Sequence, residues 1–157
     1  MHSLRESAEK FSEGGKPFTK DASHEIAVMR QAVNELLGEA SQAFLKQNLD
    51  AAKNVEPYVE SINELCEDCK GKHIERVARG ICSVELGPAY TDIMTHLGRI
   101  ADMCSNIGVH TIARHNGGAA SFEHEYLHNL HHGGDGDYTA KLNEIYDKYS
   151  AQFAEIE

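Results

Sequence analysis

Apolar side chains recur at steps of three and four residues along three long stretches of the chain. This spacing places them on one face of an α-helix, so the sequence predicts helices over residues 19–47, 49–79 and 84–113. In the second stretch the spacing is a heptad pattern held for about three repeats, which favours antiparallel helix packing. The predicted apolar faces are Ile26, Met29, Val33, Leu36, Leu37, Ala40 and Phe44; Val55, Val59, Ile62, Cys66, Cys69, His73 and Val77; and Leu86, Tyr90, Ile93, Leu97, Ile100, Cys104 and Ile107.

Local signals predict where these helices begin and end. Thr19 is expected to cap the first helix, with Asp21 in its first turn, where the helix dipole favours a negative charge. Pro57 lies near the start of the second helix and is expected to kink it or to delay its regular part. The stretch from Gly80 to Pro88 is expected to separate the second helix from the third.

The rest of the chain predicts two shorter helices and no strand. One covers about residues 121–132, and Asp137 is expected to cap the last one after a glycine-rich turn. We therefore expect an all-α fold, an up-down antiparallel three-helix bundle over residues 18–117. Residues 1–17 are expected to be the end of a preceding helix or a linker. Residues 118–157 are expected to form a C-terminal helical tail, packed on the bundle or on another chain.

The composition and net charge of the chain disfavour some classes of function. The 157 residues are 41% hydrophobic and carry a formal net charge of −10, which suits one globular domain and disfavours nucleic acid as a partner. No apolar run approaches the ~20 residues that span a bilayer, and the N-terminus has no signal-peptide core. We therefore expect a cytoplasmic chain without direct membrane insertion.

Cys66 and Cys69 have the CxxC spacing of redox and zinc sites. A redox pair needs a preceding strand and a helix N-terminus that lowers a thiol pKa, whereas both cysteines fall in the middle of a predicted helix. A zinc knuckle would need a second close pair, and Cys82 and Cys104 are isolated. We therefore interpret these cysteines as core residues.

Acidic and polar residues lie beside the apolar faces of the second and third helices. Glu56 and Glu60 are four residues apart and share a helix face, so they could chelate a hard cation. A comparable polar line on the third helix includes Gly98, Arg99 and Asp102. The alternative is that these acids are ordinary solvated residues.

Several short motifs resemble the PhoU family. The stretch 56–62 is similar to the acidic ExxxD motif of the second helix of a PhoU repeat, and 97–107 is similar to the third-helix motif LERIGDHAxNI. Residues 18–26 resemble the entry to the second repeat of the PhoU-like tail found on bacterial sodium/phosphate cotransporters. Residues 2–8 resemble the continuation of a preceding repeat, and the stretch 124–149 contains motifs similar to the end of those transporters.

The resemblance implies a cytoplasmic regulatory domain and not an enzyme. PhoU proteins bind metal ions through two acidic motifs and restrain phosphate uptake or its signalling. Carried over residue by residue, Glu56, Glu60 and Asp102 would bind a divalent or ferric ion. The implied partners are a membrane transport domain in the same protein, or another PhoU-like copy in a homo-oligomer. A free-standing PhoU-type adaptor of phosphate signalling is the alternative.

The sequence departs from the family pattern at two positions. Gly98 stands where the second motif has its first acid, and Met1 stands where the preceding repeat has its aspartate. Fewer carboxylates predict weaker binding of a hard cation. If residues 1–17 end a helix of an absent partner repeat, the chain should expose an apolar surface and self-associate.

The stretch from His124 to His128 is a literal HExxH motif. On a helix it would place two imidazoles on one face for Zn²⁺, with Glu125 as the base of a hydrolase. A third ligand at a diagnostic spacing is missing from the sequence. We therefore keep His124 and His128 as candidate metal ligands, and a zinc hydrolase as the alternative of a different class.

His73 lies on the apolar face of the second helix. A core histidine whose hydrogen bonds are satisfied is the more frequent arrangement at such a position, and we expect it here over a metal ligand.

Overall fold

The computed structural model describes residues 18–117, 125–130 and 136–154. Its elements are α1 (Lys20–Lys46), α2 (Leu49–Ala78), a 3₁₀ turn (Val84–Leu86), α3 (Gly87–His115), a helical segment over 125–130, and α4 (Gly136–Gln152). Every regular element in this part of the chain is helical, which confirms the all-α prediction. The expected N-terminal helix, over residues 1–17, lies outside the described residues.

The connection between α1 and α2 is only two residues long. Gln47 ends α1 in a left-handed conformation, and the Asn48 side chain then accepts hydrogen bonds from the backbone amides of Asp50 and Ala51. So short a connection makes the two helices antiparallel neighbours. At the other end of α1, the Thr19 hydroxyl accepts a hydrogen bond from the Ala22 amide at 3.3 Å, which confirms the predicted cap.

α2 begins at Leu49 and passes through Pro57 as one helix. The predicted delay of its regular part is therefore wrong. The ring of Pro57 is buried. The backbone carbonyl of Pro57 accepts a hydrogen bond from the Ser61 hydroxyl at 2.8 Å. α3 also differs from the prediction, because Val84–Leu86 forms a 3₁₀ turn and the α-helix starts at Gly87, with Pro88 in its first turn.

The three long helices pack against one another, and α4 lies mainly along α2 with a smaller contact to α1. The start of α1, the end of α2 and the start of α3 meet at one end of the bundle, where Glu25, Arg76 and Tyr90 are in contact. The expected up-down antiparallel three-helix bundle is thus observed, and its tail helix packs on the flank.

The core differs in register from the predicted apolar faces. Met29, Val33, Leu36 and Ala40 are buried as expected, but Leu37, Phe44 and Ile107 are exposed. The α-helical repeat of 3.6 residues drifts against a strict seven-residue pattern, so Phe44 and Ile107, the last predicted positions of α1 and α3, turn out of the core. Their places are taken by residues outside the predicted faces, namely Ala32, Ala43, Met94, Ala101 and Ile112.

Among the described helices, none combines the length and the hydropathy that crossing a bilayer needs.

Candidate functional site

The two carboxylates four residues apart on α2 face different surroundings. Glu56 is buried and accepts a hydrogen bond from the Ser105 hydroxyl of α3 at 2.7 Å. Glu60, one helical turn later, is exposed. Burial raises the pKa of the Tyr138 hydroxyl of α4, and the charges of Glu60 and Glu56 raise it further. The alternative interpretation of both acids as ordinary solvated residues is therefore wrong for Glu56.

Between α2 and α3 runs an open groove of about 630 Å³. We call it the acidic groove, since its wall contains five carboxylates and only two cationic side chains. These charged residues are Glu60, Glu64, Glu67, Asp68, Asp102, Lys70 and Arg99. The predicted polar lines of the two helices thus meet in one site, with Glu60 and Asp102 in it, whereas Glu56 is not one of its lining residues.

Neighbouring side chains already occupy some of these carboxylates. Asp102 accepts a hydrogen bond from the Asn63 amide at 2.9 Å, Asp68 accepts one from the Tyr146 hydroxyl at 2.6 Å, and Glu67 pairs with Lys70 at 2.7 Å. Glu60 and Glu64 make no hydrogen bond or ion pair with any residue that the structure describes. Their oxygens are therefore available to a ligand in the acidic groove.

Gly98 has a steric role in the same groove. A Cβ atom at this position would lie 3.0 Å from the Asn63 side-chain oxygen, closer than ordinary van der Waals contact. The missing side chain therefore lets Asn63 reach across to Asp102. The residue that departs from the family's acidic motif thus makes room for a hydrogen bond between α2 and α3.

Metal binding by Glu56, Glu60 and Asp102 stays a prediction. Among residues 18–117, 125–130 and 136–154, no group of three or more His, Cys, Asp or Glu side chains is arranged to hold a metal ion. Hard cations prefer carboxylate oxygens, and the acidic groove offers these from Glu60 and Glu64 of α2 and from Asp102 of α3.

The HExxH motif falls partly outside the described residues, which do not include His124. Glu125 and His128 are exposed on the helical segment 125–130. Tyr126 of the same segment packs against a small apolar cluster that includes Ala43 and Ile112. Within the described part of the motif, residues 125–128, Tyr126 therefore attaches this segment to the bundle.

All four cysteines are free thiols and buried, which confirms the core interpretation. Burial raises the pKa of Cys66 and that of Cys69 to about 12 and also raises that of Cys104. Because the thiolate is the reactive form, the Cys66–Cys69 pair is unsuited to redox chemistry in this state.

A buried polar cluster at the end of the bundle was not predicted. Glu25 of α1 is 3% exposed, and its two oxygens accept hydrogen bonds from both terminal nitrogens of Arg76, at 2.8 and 2.6 Å. The Tyr90 hydroxyl donates to the same carboxylate, and the His73 ring stacks on that of Tyr90 with centroids 4.2 Å apart. The sequence carried one signal, since Glu25 lies four residues before Met29 and three after Ala22, on the buried face.

His73 corrects a second expectation. It is buried as predicted, but neither ring nitrogen has a hydrogen-bond partner among the described residues. The expectation of a satisfied core histidine is therefore wrong.

Together, the fold and the groove define a class of protein: an all-α bundle with an acidic surface between its second and third long helices. Comparison with protein families gives the PhoU domain, matched over residues 26–110, which is more than half of the chain. The chain belongs to the PhoU domain family. Comparison with curated proteins and with solved structures gave no match.

Proposed function

We propose that this chain is the cytoplasmic regulatory domain of a sodium-dependent phosphate transporter. Membership of the PhoU domain family indicates a role in phosphate-related regulation or signalling, and it is the observation that carries the proposal. The finer assignment to a transporter rests on the resemblance of residues 18–26 and of the C-terminal tail to cotransporter tails. In this proposal the domain contacts a transport domain or a second copy of itself, and it performs no catalysis.

The acidic groove is the surface that would carry this role. Five carboxylates against two cations create a negative potential that attracts metal cations or a basic protein surface. The groove lies on the outside of the bundle, where a binding partner can reach it without unfolding a helix. We propose that two of the predicted ligands, Glu60 and Asp102, bind a divalent or ferric ion there, with Glu56 supporting α3 through Ser105.

Isothermal titration with manganese, zinc and ferric iron tests the metal site. The chain should bind at least one of these ions, and Glu60→Ala should weaken that binding about tenfold or more, because a carboxylate ligand is lost. Asp92→Ala is the matched control, since Asp92 is an exposed acid of α3 outside the groove. Equal affinities of wild type, Glu60→Ala and Asp92→Ala would contradict the assignment.

A gain-of-function variant makes the test sharper. Gly98→Asp restores an acid at the position where the family motif has one, and the Asn63 side chain it would touch is able to rotate away. We expect tighter binding of the same ion. Unchanged or weaker binding in a folded Gly98→Asp protein would indicate that the ion does not lie against α3.

The genomic sequence upstream of Met1 separates the transporter domain from a free-standing adaptor. Several transmembrane segments in the same reading frame support the proposal, and their absence supports the adaptor.

A further inference from the structure

A second pocket, of about 360 Å³, lies at the end of the bundle where α1 begins and the chain turns from α2 into α3. We call it the His73 pocket. Its wall includes Thr19, His73 and residues 80–83 of the connection, among them Cys82. It is separate from the acidic groove, and no residue lines both.

His73 is an unusual wall residue because it is 2% exposed and both of its ring nitrogens lack a hydrogen-bond partner in the described structure. Buried polar atoms without partners cost stability, and native proteins keep very few of them. Tyr90 packs against one face of the ring by stacking. The two ring nitrogens, at the edges of the ring, remain without a hydrogen-bond partner in the described structure.

Arg76 adds a further buried donor beside the pocket. Its terminal nitrogens are used by Glu25, but its Nε atom has no partner among the described residues. The Arg76 carbonyl accepts hydrogen bonds from the amides of Ile81 and Cys82, so this residue supports the pocket wall directly.

The electrostatics at this wall favour a negative ligand. Thr19 is the N-cap of α1, so the positive end of a 27-residue helix dipole lies at the pocket. Burial lowers the pKa of His73, and the charge of Arg76 lowers it further against the opposing effect of Glu25. His73 is therefore neutral and offers one N–H donor and one acceptor nitrogen.

We propose that the His73 pocket binds a small oxyanion, of the phosphate or carboxylate kind, which hydrogen-bonds to His73. A partly protonated oxyanion matches this wall because it carries several acceptor oxygens and one O–H donor. The Thr19 hydroxyl and the Cys82 thiol, 3.5 Å apart, line the same pocket as the ring. The site is independent of the metal site proposed above.

Histidine-ring nitrogen NMR on the full chain tests the proposal directly. His73 is assigned from the signals that a His73→Gln variant loses, and the chain is titrated with inorganic phosphate, with acetate, and with sodium chloride at matched ionic strength. We expect saturable shifts of the His73 nitrogens with phosphate or with acetate, and which of them acts identifies the class of oxyanion. No saturable shift with either anion, or the same shift with chloride, overturns the proposal.

Two variants separate a binding role from a structural one. His73→Phe keeps the ring stack on Tyr90 and removes the two unsatisfied nitrogens, so it should keep or raise the melting temperature while weakening anion binding, measured by isothermal titration, about tenfold or more. Cys82→Leu places a larger side chain in the pocket wall and should block the His73 shifts while the ring remains. A lower melting temperature for His73→Phe together with unchanged shifts in Cys82→Leu would overturn the proposal.

Discussion

Glu25 shows how a charged residue becomes part of this core. Its carboxylate is matched by both terminal nitrogens of Arg76 and by the Tyr90 hydroxyl, so all three long helices contribute to one buried polar cluster. Removing one charge would leave the other buried and uncompensated, which is the costly outcome for an internal ion pair.

Glu25→Gln is therefore expected to lower the free energy of unfolding by about 3 kcal/mol. Urea denaturation measures this. The matched control is Glu75→Gln, whose partner Arg79 is 3.9 Å away with both side chains about 70% exposed, and it should change stability by no more than about 0.5 kcal/mol. Equal effects of the two substitutions would contradict the structural role of the cluster.

At the residue scale the sequence predicted local features and missed long-range ones. The Thr19 cap depends on an amide three residues away, so its signal is contained in the neighbouring sequence. Glu25 and Arg76 are 51 residues apart, and nothing near either position shows that they meet. The same limitation led to the wrong expectation for His73 and left the burial of Glu56 unpredicted.

Close approach between α2 and α3 depends on a glycine. A Cβ atom at Gly108 would lie 2.8 Å from the Cβ of Val55 and 3.2 Å from the carbonyl oxygen of Ala52, and neither of these atoms can move without its helix. Gly71 of α2 is also within a helix, but a Cβ atom there meets nothing within 4 Å.

The two glycines predict opposite responses to alanine. Gly108→Ala should destabilise the protein by about 1–3 kcal/mol through overpacking, whereas Gly71→Ala should stabilise it by up to about 1 kcal/mol through helix propensity. Thermal or urea unfolding of the pair measures both. A stabilising Gly108→Ala would mean that α2 and α3 are not in contact there.

Helix α4 is held on the bundle by a charged cluster as well as by Ile145 and Tyr149. Glu35 of α1 accepts hydrogen bonds from Lys148 at 2.6 Å and from the Tyr58 hydroxyl at 3.2 Å. Burial raises the pKa of Glu35, but hydrogen bonds from Lys148, Tyr149 and Gln31 and the charge of Lys148 outweigh it and lower the pKa to about 2.

The lowered pKa predicts an acid-sensitive contribution to stability. The ionised Glu35 stabilises the fold at pH values above its ordinary pKa of 4.5, and this contribution should be lost as the pH falls towards about 2. The difference in urea midpoint between wild type and Glu35→Gln should therefore shrink over that interval. Glu144→Gln, on an exposed i,i+3 pair with Lys141, is the control and should show little difference at any pH. A Glu35→Gln difference that is independent of pH would contradict the assignment.

At the element scale the apolar periodicity predicted the three long helices to within a few residues. It could not separate the 3₁₀ turn at Val84–Leu86 from the helix that follows, because the apolar spacing continues across the boundary. It also placed Leu37 and Phe44 in the core. Which apolar residue of a wide stripe is buried depends on the rotation of the whole helix, which is fixed by its neighbours.

The whole molecule exposes several large apolar side chains in addition to its charged surface. On α1, Leu37 is 42% exposed and Phe44 is 54% exposed, and the seven-residue spacing places them on one face. Such surfaces are characteristic of contacts with another protein or another copy.

We predict that the chain self-associates through this face of α1. In light scattering across a range of concentrations, wild type should show a rising average mass, and Leu37→Ser/Phe44→Ser should lower it. Ile74→Ser, which removes an exposed apolar residue of α2, is the control. Monomeric wild type at every concentration would contradict the prediction.

The central claim, regulation of phosphate uptake, is tested most directly by uptake of radiolabelled phosphate in cells of the source organism. The strains compared are the parent, a strain lacking this domain, and strains restored with wild type or with Glu60→Ala/Glu64→Ala, which changes only exposed acids of the groove. We predict that loss of the domain changes the initial rate of sodium-dependent phosphate uptake, that wild type restores it, and that the groove variant does not. Identical phosphate uptake in all four strains would contradict the account.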